Sequence, residues 1–380
     1  MENRLAFPQS GKLRILVVSD PQDLKQVRRT MVEMLDRAYD SLKPDLVIFN
    51  GDNILGNHLL DPRIGTFKGV ETYEDTAVSM RLALDKILEP VERRSIPFTM
   101  VYGNHDDMNL LTKEEQIEIY REYSQCLDMN KTEPSVDCDT HAVELTGNDG
   151  RPAFVLYLLD SAWQDKDEER KGHAEVKKET VAWFKKTAAE YAANNGGKPV
   201  PSIVFLHIPL PDSVRLCEKC SADDEGAIKC DDGEYRRLDK NKAKGVMLEP
   251  PSILDTDSGL FEAIKEAGGV RAVVTGHDHA NCFEGELDGI EFWQTGAASF
   301  RCYGNKATRG VRVIDIDESG TVQTRFMTYF DICGETPLSK LKLYIDGDEY
   351  EYRKFSILGA ALLAGIAGTA IGIVRKKKRK

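Results

Sequence analysis

The sequence has no apolar run at its start. Met1 to Lys12 is mixed and polar, so a secretory signal is not expected and a reducing compartment is the default. Disulfide-scaffold character is missing too. Eight cysteines are thinly spread over 380 residues. One group stands apart: Cys217-Glu218-Lys219-Cys220, followed by Cys230. A Cys-x-x-Cys pair can hold zinc or serve redox chemistry, but the second pair of a four-thiolate site is absent. Ordinary thiols on an inserted loop are the favoured alternative. Cationic excess is also lacking. Lys and Arg number 51 against 63 Asp and Glu, a formal charge of −12. The last six residues, Arg375 to Lys380, are all basic; without them 45 cations face 63 anions, a formal −18. So acidic a body disfavours nucleic acid, whose phosphates need a cationic face. Internal repeats and low-complexity linkers are absent as well.

What is present suits one large or two ordinary domains, with 41% hydrophobic and 30% charged residues. Short apolar runs alternate with helical stretches. Leu13–Val18 and Leu46–Phe49 are short and rich in aliphatic residues, so they predict buried strands; 97–102, 153–159, 203–206 and 270–275 follow suit. Helices are expected over 24–42, over 73–92, where Pro90 helps to end the helix, and around 260–267. Runs at 291–295, 310–316 and 321–329 leave no room for helices between them, which predicts an antiparallel finish and a mixed sheet system. Segments 107–140 and 208–255 lack strong periodicity and read as inserted loops, the candidates for substrate selection.

The informative pattern lies where strands end. Five apolar runs stop at Ser19-Asp20, Asn50-Gly51-Asp52-Asn53, Gly103-Asn104-His105-Asp106, His207 and Gly276-His277-Asp278-His279. In open α/β sheets ligands collect beyond the carboxyl ends of strands, so the five tips should converge. Singly they are weak: Gly-Asp caps turns everywhere, and a lone histidine is more often a satisfied core residue. Two imidazoles at i and i+2 after a strand can both face one ion, which makes the fifth motif sharper. Together the tips supply carboxylate, amide and imidazole donors without thiolate, a set suited to Mn, Fe, Zn or Ni. A central carboxylate could bridge two ions, and an ion pair about 3.5–4 Å apart clamps the attacking and leaving oxygens of a phosphoester displacement.

In this order the motifs resemble the calcineurin-like metallophosphoesterase superfamily, and within it the purple-acid-phosphatase-like branch. Leu159-Asp160-Ser161, Trp183-Phe184 and Ala280-Asn281 add to the likeness, which covers about residues 13–330. The resemblance implies an α/β fold of two packed mixed β-sheets flanked by helices. It implies a binuclear centre in which Asp52 bridges two divalent or mixed-valence ions. Asp20 and His279, with Gln22, would serve the first ion; Asn104, His207 and His277 would serve the second. His105 would act as general acid, with Asp106 orienting that imidazole or the adjoining turn. Two departures stand out. The family's usual Asp-x-His reads Asp20-Pro21-Gln22, which offers an amide oxygen where an imidazole is usual. The tyrosine of purple acid phosphatases proper has no counterpart in Asn53-Ile54-Leu55, so neither their colour nor a ferric preference is expected.

Residues 355–374 carry no charge, and twenty helical residues span roughly 30 Å, the thickness of a bilayer core. A transmembrane helix is therefore expected there, followed by the basic tail 375–380 and preceded by a catalytic domain over 1–350. Ala364, Gly368 and Gly372 form a small-residue stripe that allows self-association in lipid. Positive charge favours the cytoplasmic side, whereas the missing export signal favours a tail anchor with a cytoplasmic body; the latter is adopted. The whole reads as a membrane-anchored phosphoesterase acting on phosphomonoesters, with diesters second. The rival is a non-catalytic or single-metal membrane-bound adaptor, its first site weakened by Gln22. A nuclease would need a basic groove that this composition lacks.

Overall fold

The computed structural model describes residues 4–56, 72–129, 136–161 and 175–346. Sixteen strands form three sheets in these segments. They are β1 (Arg4–Ala6), β2 (Lys12–Val18), β3 (Leu46–Asn50), β4 (Phe98–Val101), β5 (His141–Thr146), β6 (Pro152–Leu158), β7 (Ser202–Phe205), β8 (Cys217–Cys220), β9 (Ile228–Lys229), β10 (Tyr235–Leu238), β11 (Ala243–Val246), β12 (Val270–Thr275), β13 (Cys282–Leu287), β14 (Ile290–Gln294), β15 (Gly310–Asp317) and β16 (Val322–Thr328). The helices are α1 (Arg29–Leu42), α2 (Tyr73–Glu92), α3 (Lys113–Tyr120), α4 (Lys178–Asn194), α5 (Leu260–Ala267), α6 (Tyr329–Cys333) and α7 (Pro337–Asp346).

A five-stranded sheet runs β16-β15-β2-β3-β4, and an eight-stranded sheet runs β1-β5-β6-β7-β12-β14-β13-β11. In the first, β2, β3 and β4 are parallel while β15 is antiparallel to β2 and β16. In the second, β6, β7, β12 and β14 are parallel. The strands that point one way are thus the ones that carry the motifs at their ends.

Side-chain alternation explains the layering, because a strand buried on both faces needs apolar residues at every position. In β2, Ile15 and Val17 face the middle layer; so do Leu46 and Ile48 of β3, Ile203 and Phe205 of β7, and Ala272 and Val274 of β12. Their neighbours Leu16, Val18, Val47 and Phe49 face α1 and α2 on one outer side. Val204 and Val273 face α4 and α5 on the other. The molecule is two mixed sheets packed face to face between helices, the expected fold class.

Several expected elements differ in detail. The first helix begins at Arg29, not at 24, because the Asp23 carboxylate accepts the N–H groups of Leu24 and Arg28, both at 2.7 Å. That holds 23–28 in a turn. Segment 107–140 is not wholly loop. It contains α3, started by a reciprocal cap in which the Thr112 hydroxyl accepts the Glu115 N–H and the Glu115 carboxylate accepts the Thr112 N–H. Nor is 208–255 a loop. It folds as the small sheet β8-β10-β9 and then adds β11 to the edge of the large sheet. Strand 291–295 does not join the antiparallel finish. As β14 it lies parallel to β12, and residues 295–309 cross to the other sheet before β15 and β16 pair antiparallel. The expected transmembrane segment 355–374 and the tail 375–380 lie outside the described residues. Among the described residues no helix is long and apolar enough to cross a membrane.

Candidate metal centre

The tips of β2, β3, β4, β7 and β12 meet in one place and are laced by backbone hydrogen bonds. Asp20 N–H donates to Gly51 O (3.1 Å), Gln22 N–H to Asp52 O (2.9 Å) and Gly276 N–H to His207 O (3.0 Å). Proximity dictates the glycines. Gly51 has φ 86°, and a Cβ there would stand 2.2 Å from His207 Nδ1. At Gly276 a Cβ would come within 1.9 Å of Ser19 Oγ. Seven non-glycine residues take positive φ among the described residues, and four of them are expected ligands: Asp20, Gln22, Asp52 and His277. Backbone held in this sparsely populated region is kept by its surroundings and gathers at functional sites.

Two groups of ligating side chains share Asp52. Asp52, His207 and His277 bring one ligand atom each within 4.8 Å of one another, and so do Asp20, Asp52 and His279. His207 Nε2 stands 3.4 Å from Asp52 Oδ1 and 3.8 Å from Asp20 Oδ1. His279 Nε2 lies 3.4 Å from Asp20 Oδ1. Each imidazole is turned by its other nitrogen: His207 Nδ1 contacts Asn50 O at 3.0 Å, and His279 Nδ1 contacts Tyr303 O at 3.0 Å. Such contacts set which nitrogen faces the centre.

Gln22 Nε2 donates to Asp52 Oδ2 (3.1 Å), and the His105 N–H donates to Asp52 Oδ1 (2.8 Å). The residues fit a pair of cations. Asp20 Oδ1, Gln22 Oε1, Asn104 Oδ1 and His207 Nε2 are buried without a hydrogen-bond partner. Leaving the Gln22 and Asn104 oxygens unmatched costs about 1–3 kcal/mol each, whereas Asp20 Oδ1 and His207 Nε2 have ion-pair partners at 3.4–3.8 Å. All are oxygen or nitrogen donors, a set that suits Mn, Fe, Zn or Ni.

The electrostatics follow. Burial alone would strip the charge from His207, but the Asp52 and Asp20 carboxylates outweigh it and lift the imidazole to about 10. Asp52 is buried, which opposes its charge, yet His207 and His105 hold it below the ordinary carboxylate range. Burial pushes His105 down, partly offset by Asp52. Asp106, expected to orient the His105 imidazole or the adjoining turn, holds the turn: its carboxylate accepts the N–H groups of Gly103 (2.8 Å), Ile54 (3.0 Å) and Asn53 (3.1 Å). It binds the second motif to the third and is a positioning residue. Burial, followed by repulsion from Asp52, raises it to about 7.

The family model for calcineurin-like phosphoesterases matches residues 13–281. The chain belongs to that family. Two Arabidopsis thaliana proteins are similar along most of their length. One, named "Probable inactive purple acid phosphatase 29", is 25% identical, with 83% of this chain and 79% of its own covered. The other, "Probable inactive purple acid phosphatase 14", is 27% identical over 85% and 80%. Among solved structures, a dimetal phosphatase from Danio rerio aligns with 83% of this chain and 99% of its own, at 12% identity and a TM-score of 0.48.

Around this centre the structure adds contacts that the motifs alone do not announce. Ser19 Oγ donates to Asp20 Oδ2 (2.6 Å), and Ser161 Oγ accepts the N–H groups of His207 and Ile208. Ser161 lies just beyond β6, as the other tips lie beyond their strands, within the Leu159-Asp160-Ser161 run already noted. Tyr303 stacks on His279 with ring centroids 4.4 Å apart. Nothing in its local sequence announces this. Cys217, Cys220 and Cys230 belong to neither ligand group, and all three are free thiols.

Proposed function

We propose that this chain is a metal-dependent phosphoesterase that hydrolyses phosphomonoesters, with diesters a poorer substrate class. The observation that carries the reading is the pair of ligand groups sharing Asp52, with buried ligand atoms left unmatched beside them. Asp20, Gln22 and His279 would hold the first ion, Asn104, His207 and His277 the second, and Asp52 both. When bound, the ions supply a water of lowered pKa and neutralise the phosphoryl oxygens. The chain does the rest. Asp52 is fixed by the Gln22 amide and the His105 N–H, so its two oxygens are aimed before substrate arrives. The His105 imidazole holds a proton for the leaving oxygen, the task of a general acid. Asp106 keeps the loop that carries it in register.

Gln22 favours a second reading, a single-metal or non-catalytic adaptor. Its Nε2 is spent on Asp52, so one neutral amide oxygen stands where the family usually offers an imidazole. The names of the two plant relatives point the same way for those proteins. Hydrolysis of para-nitrophenyl phosphate decides between them, measured on metal-stripped full-length chain after adding back Mn, Zn, Ni, Fe or Mg. Two bound ions with turnover support the enzyme. One ion without turnover, on monoester or diester, supports the adaptor.

The same proposal places residues 355–374 across a membrane, with the acidic body on the cytoplasmic side and the stripe Ala364, Gly368 and Gly372 available for self-association. The uncharged run and the basic residues beside it support the span, not the side on which the body lies.

A further inference from the structure

The excursion 208–255 leaves and rejoins the body at one point, where the Leu254 N–H donates to Pro209 O at 3.0 Å. In between it forms the small sheet and β11, and then passes over the metal centre as residues 247–252. That last stretch is fastened by the two residues of Gly276-His277-Asp278-His279-Ala280-Asn281 whose side chains both turn towards it without being expected ligands. Asn281 Oδ1 accepts the N–H groups of Leu248 (2.9 Å) and Glu249 (3.2 Å), and its Nδ2 donates to Glu249 O (3.2 Å). Asp278 Oδ1 accepts the Ser252 N–H at 3.1 Å, and Asp278 Oδ2 accepts Asn281 Nδ2 at 3.0 Å. Both fastening residues are buried.

Two side chains of the fastened stretch then reach the imidazoles. Ser252 Oγ lies 3.1 Å from His277 Nε2. Glu249 Oε2 accepts the Tyr303 hydroxyl at 2.8 Å, and Glu249 Oε1 accepts the Ala280 N–H at 2.6 Å. Tyr303 in turn lies flat on the His279 ring, at an interplanar angle of 9°, and offers its carbonyl to His279 Nδ1. One six-residue stretch therefore bears on both histidines of the motif, on His277 directly and on His279 through Tyr303.

We infer that Ser252 and Glu249 are positioning residues for the two ions: Ser252 orients His277 at the second ion, and Glu249 orients His279 at the first through Tyr303. The inserted arm then sets ion affinity at both sites rather than serving only as a substrate wall. The inference rests on the binuclear reading above. An oriented imidazole binds an ion more tightly because less freedom is lost on ligation, and removing such a partner typically weakens binding about 10–100-fold.

The test is Mn(II) titration of the full-length chain against a chelating dye, with electron paramagnetic resonance to separate coupled ion pairs from single ions. Ser252→Ala should weaken one of two Mn(II) ions by about 10–100-fold and convert the coupled signal to that of a single ion. Ser252→Thr, which keeps the hydroxyl, should restore the pair; a merely structural role would not respond in this way. Glu249→Ala should weaken the other ion, so that the double variant loses both. Wild-type affinities and coupled signals in both alanine variants would overturn the inference. So would equal loss of both ions in each variant without rescue by threonine. A wild-type chain that binds no Mn(II) would instead overturn the binuclear reading, and the arm's role with it.

Discussion

Asp52 carries more of the site than any other side chain, since it belongs to both ligand groups and its oxygens are already oriented by Gln22 and His105. Asp52→Asn should therefore abolish metal-dependent hydrolysis and lower the ion content together. Elemental analysis beside the activity assay checks it, and full activity in the variant would remove the bridging role. His105 should separate the two readouts. In His105→Ala both ions stay bound while turnover falls by about 10²–10⁴, the usual range for a general acid; loss of ions would show that the imidazole is a ligand. Away from the centre, His141 offers a pH effect with a definite sign. It is buried between Thr99 Oγ1 (2.7 Å) and Asp139 O (2.6 Å), and burial lowers it from 6.5 to about 4. The unfolded chain takes up this proton first as pH falls. Stability that is complete above pH 6.5 is thus lost as pH drops towards 4, by up to about 3 kcal/mol. Urea unfolding at pH 7 and pH 4.5 should show a smaller loss for His141→Gln than for wild type; equal losses would assign the effect to other groups.

At the scale of elements, the turn that starts α1 joins the first motif to the far crossing. Asp23 is fully buried and pairs with Arg301, which lies on the 295–309 connection and also donates to Gln26 O. The sequence reading places this helix over 24–42. The structure ends it at Arg29 because an ion pair far apart in sequence claims Asp23 and its neighbours. Arg301→Met would leave the Asp23 carboxylate buried and uncompensated, a change that costs about 3–5 kcal/mol. A fall in urea midpoint with an unaltered slope is the expected result, and a midpoint unchanged from wild type would mean that the pair is dispensable. The excursion 208–255 teaches the same lesson. Its strands are short and polar, so they carry no period-2 signal. They form because β11 finds an edge to pair with at β13 and because Asp278 and Asn281 bind the return path.

For the whole molecule, the charge split and the carboxyl-terminal run make a prediction that concerns attachment rather than chemistry. Removing residues 355–380 should release active protein into the soluble fraction after membrane flotation; a truncated chain that still floats with membranes would refute the anchor. Much of this architecture was legible in advance. Strands buried on both faces must be apolar at consecutive positions, and strand tips must carry whatever chemistry they present, so both were readable from local composition. The fold class, and the expectation of Asp20, Gln22, Asp52, Asn104, His207, His277 and His279 as ligands, followed from this together with the family likeness. Pairing partners separated by hundreds of residues leave no such trace. The placement of β14 beside β12, the hold of Asp106 on Asn53 and Ile54, and the reach of Ser252 and Tyr303 to the imidazoles were decided only by the folded chain. The physical reason is that periodicity reports which faces of a segment are buried, whereas hydrogen-bond geometry between distant segments exists only after the layers have packed.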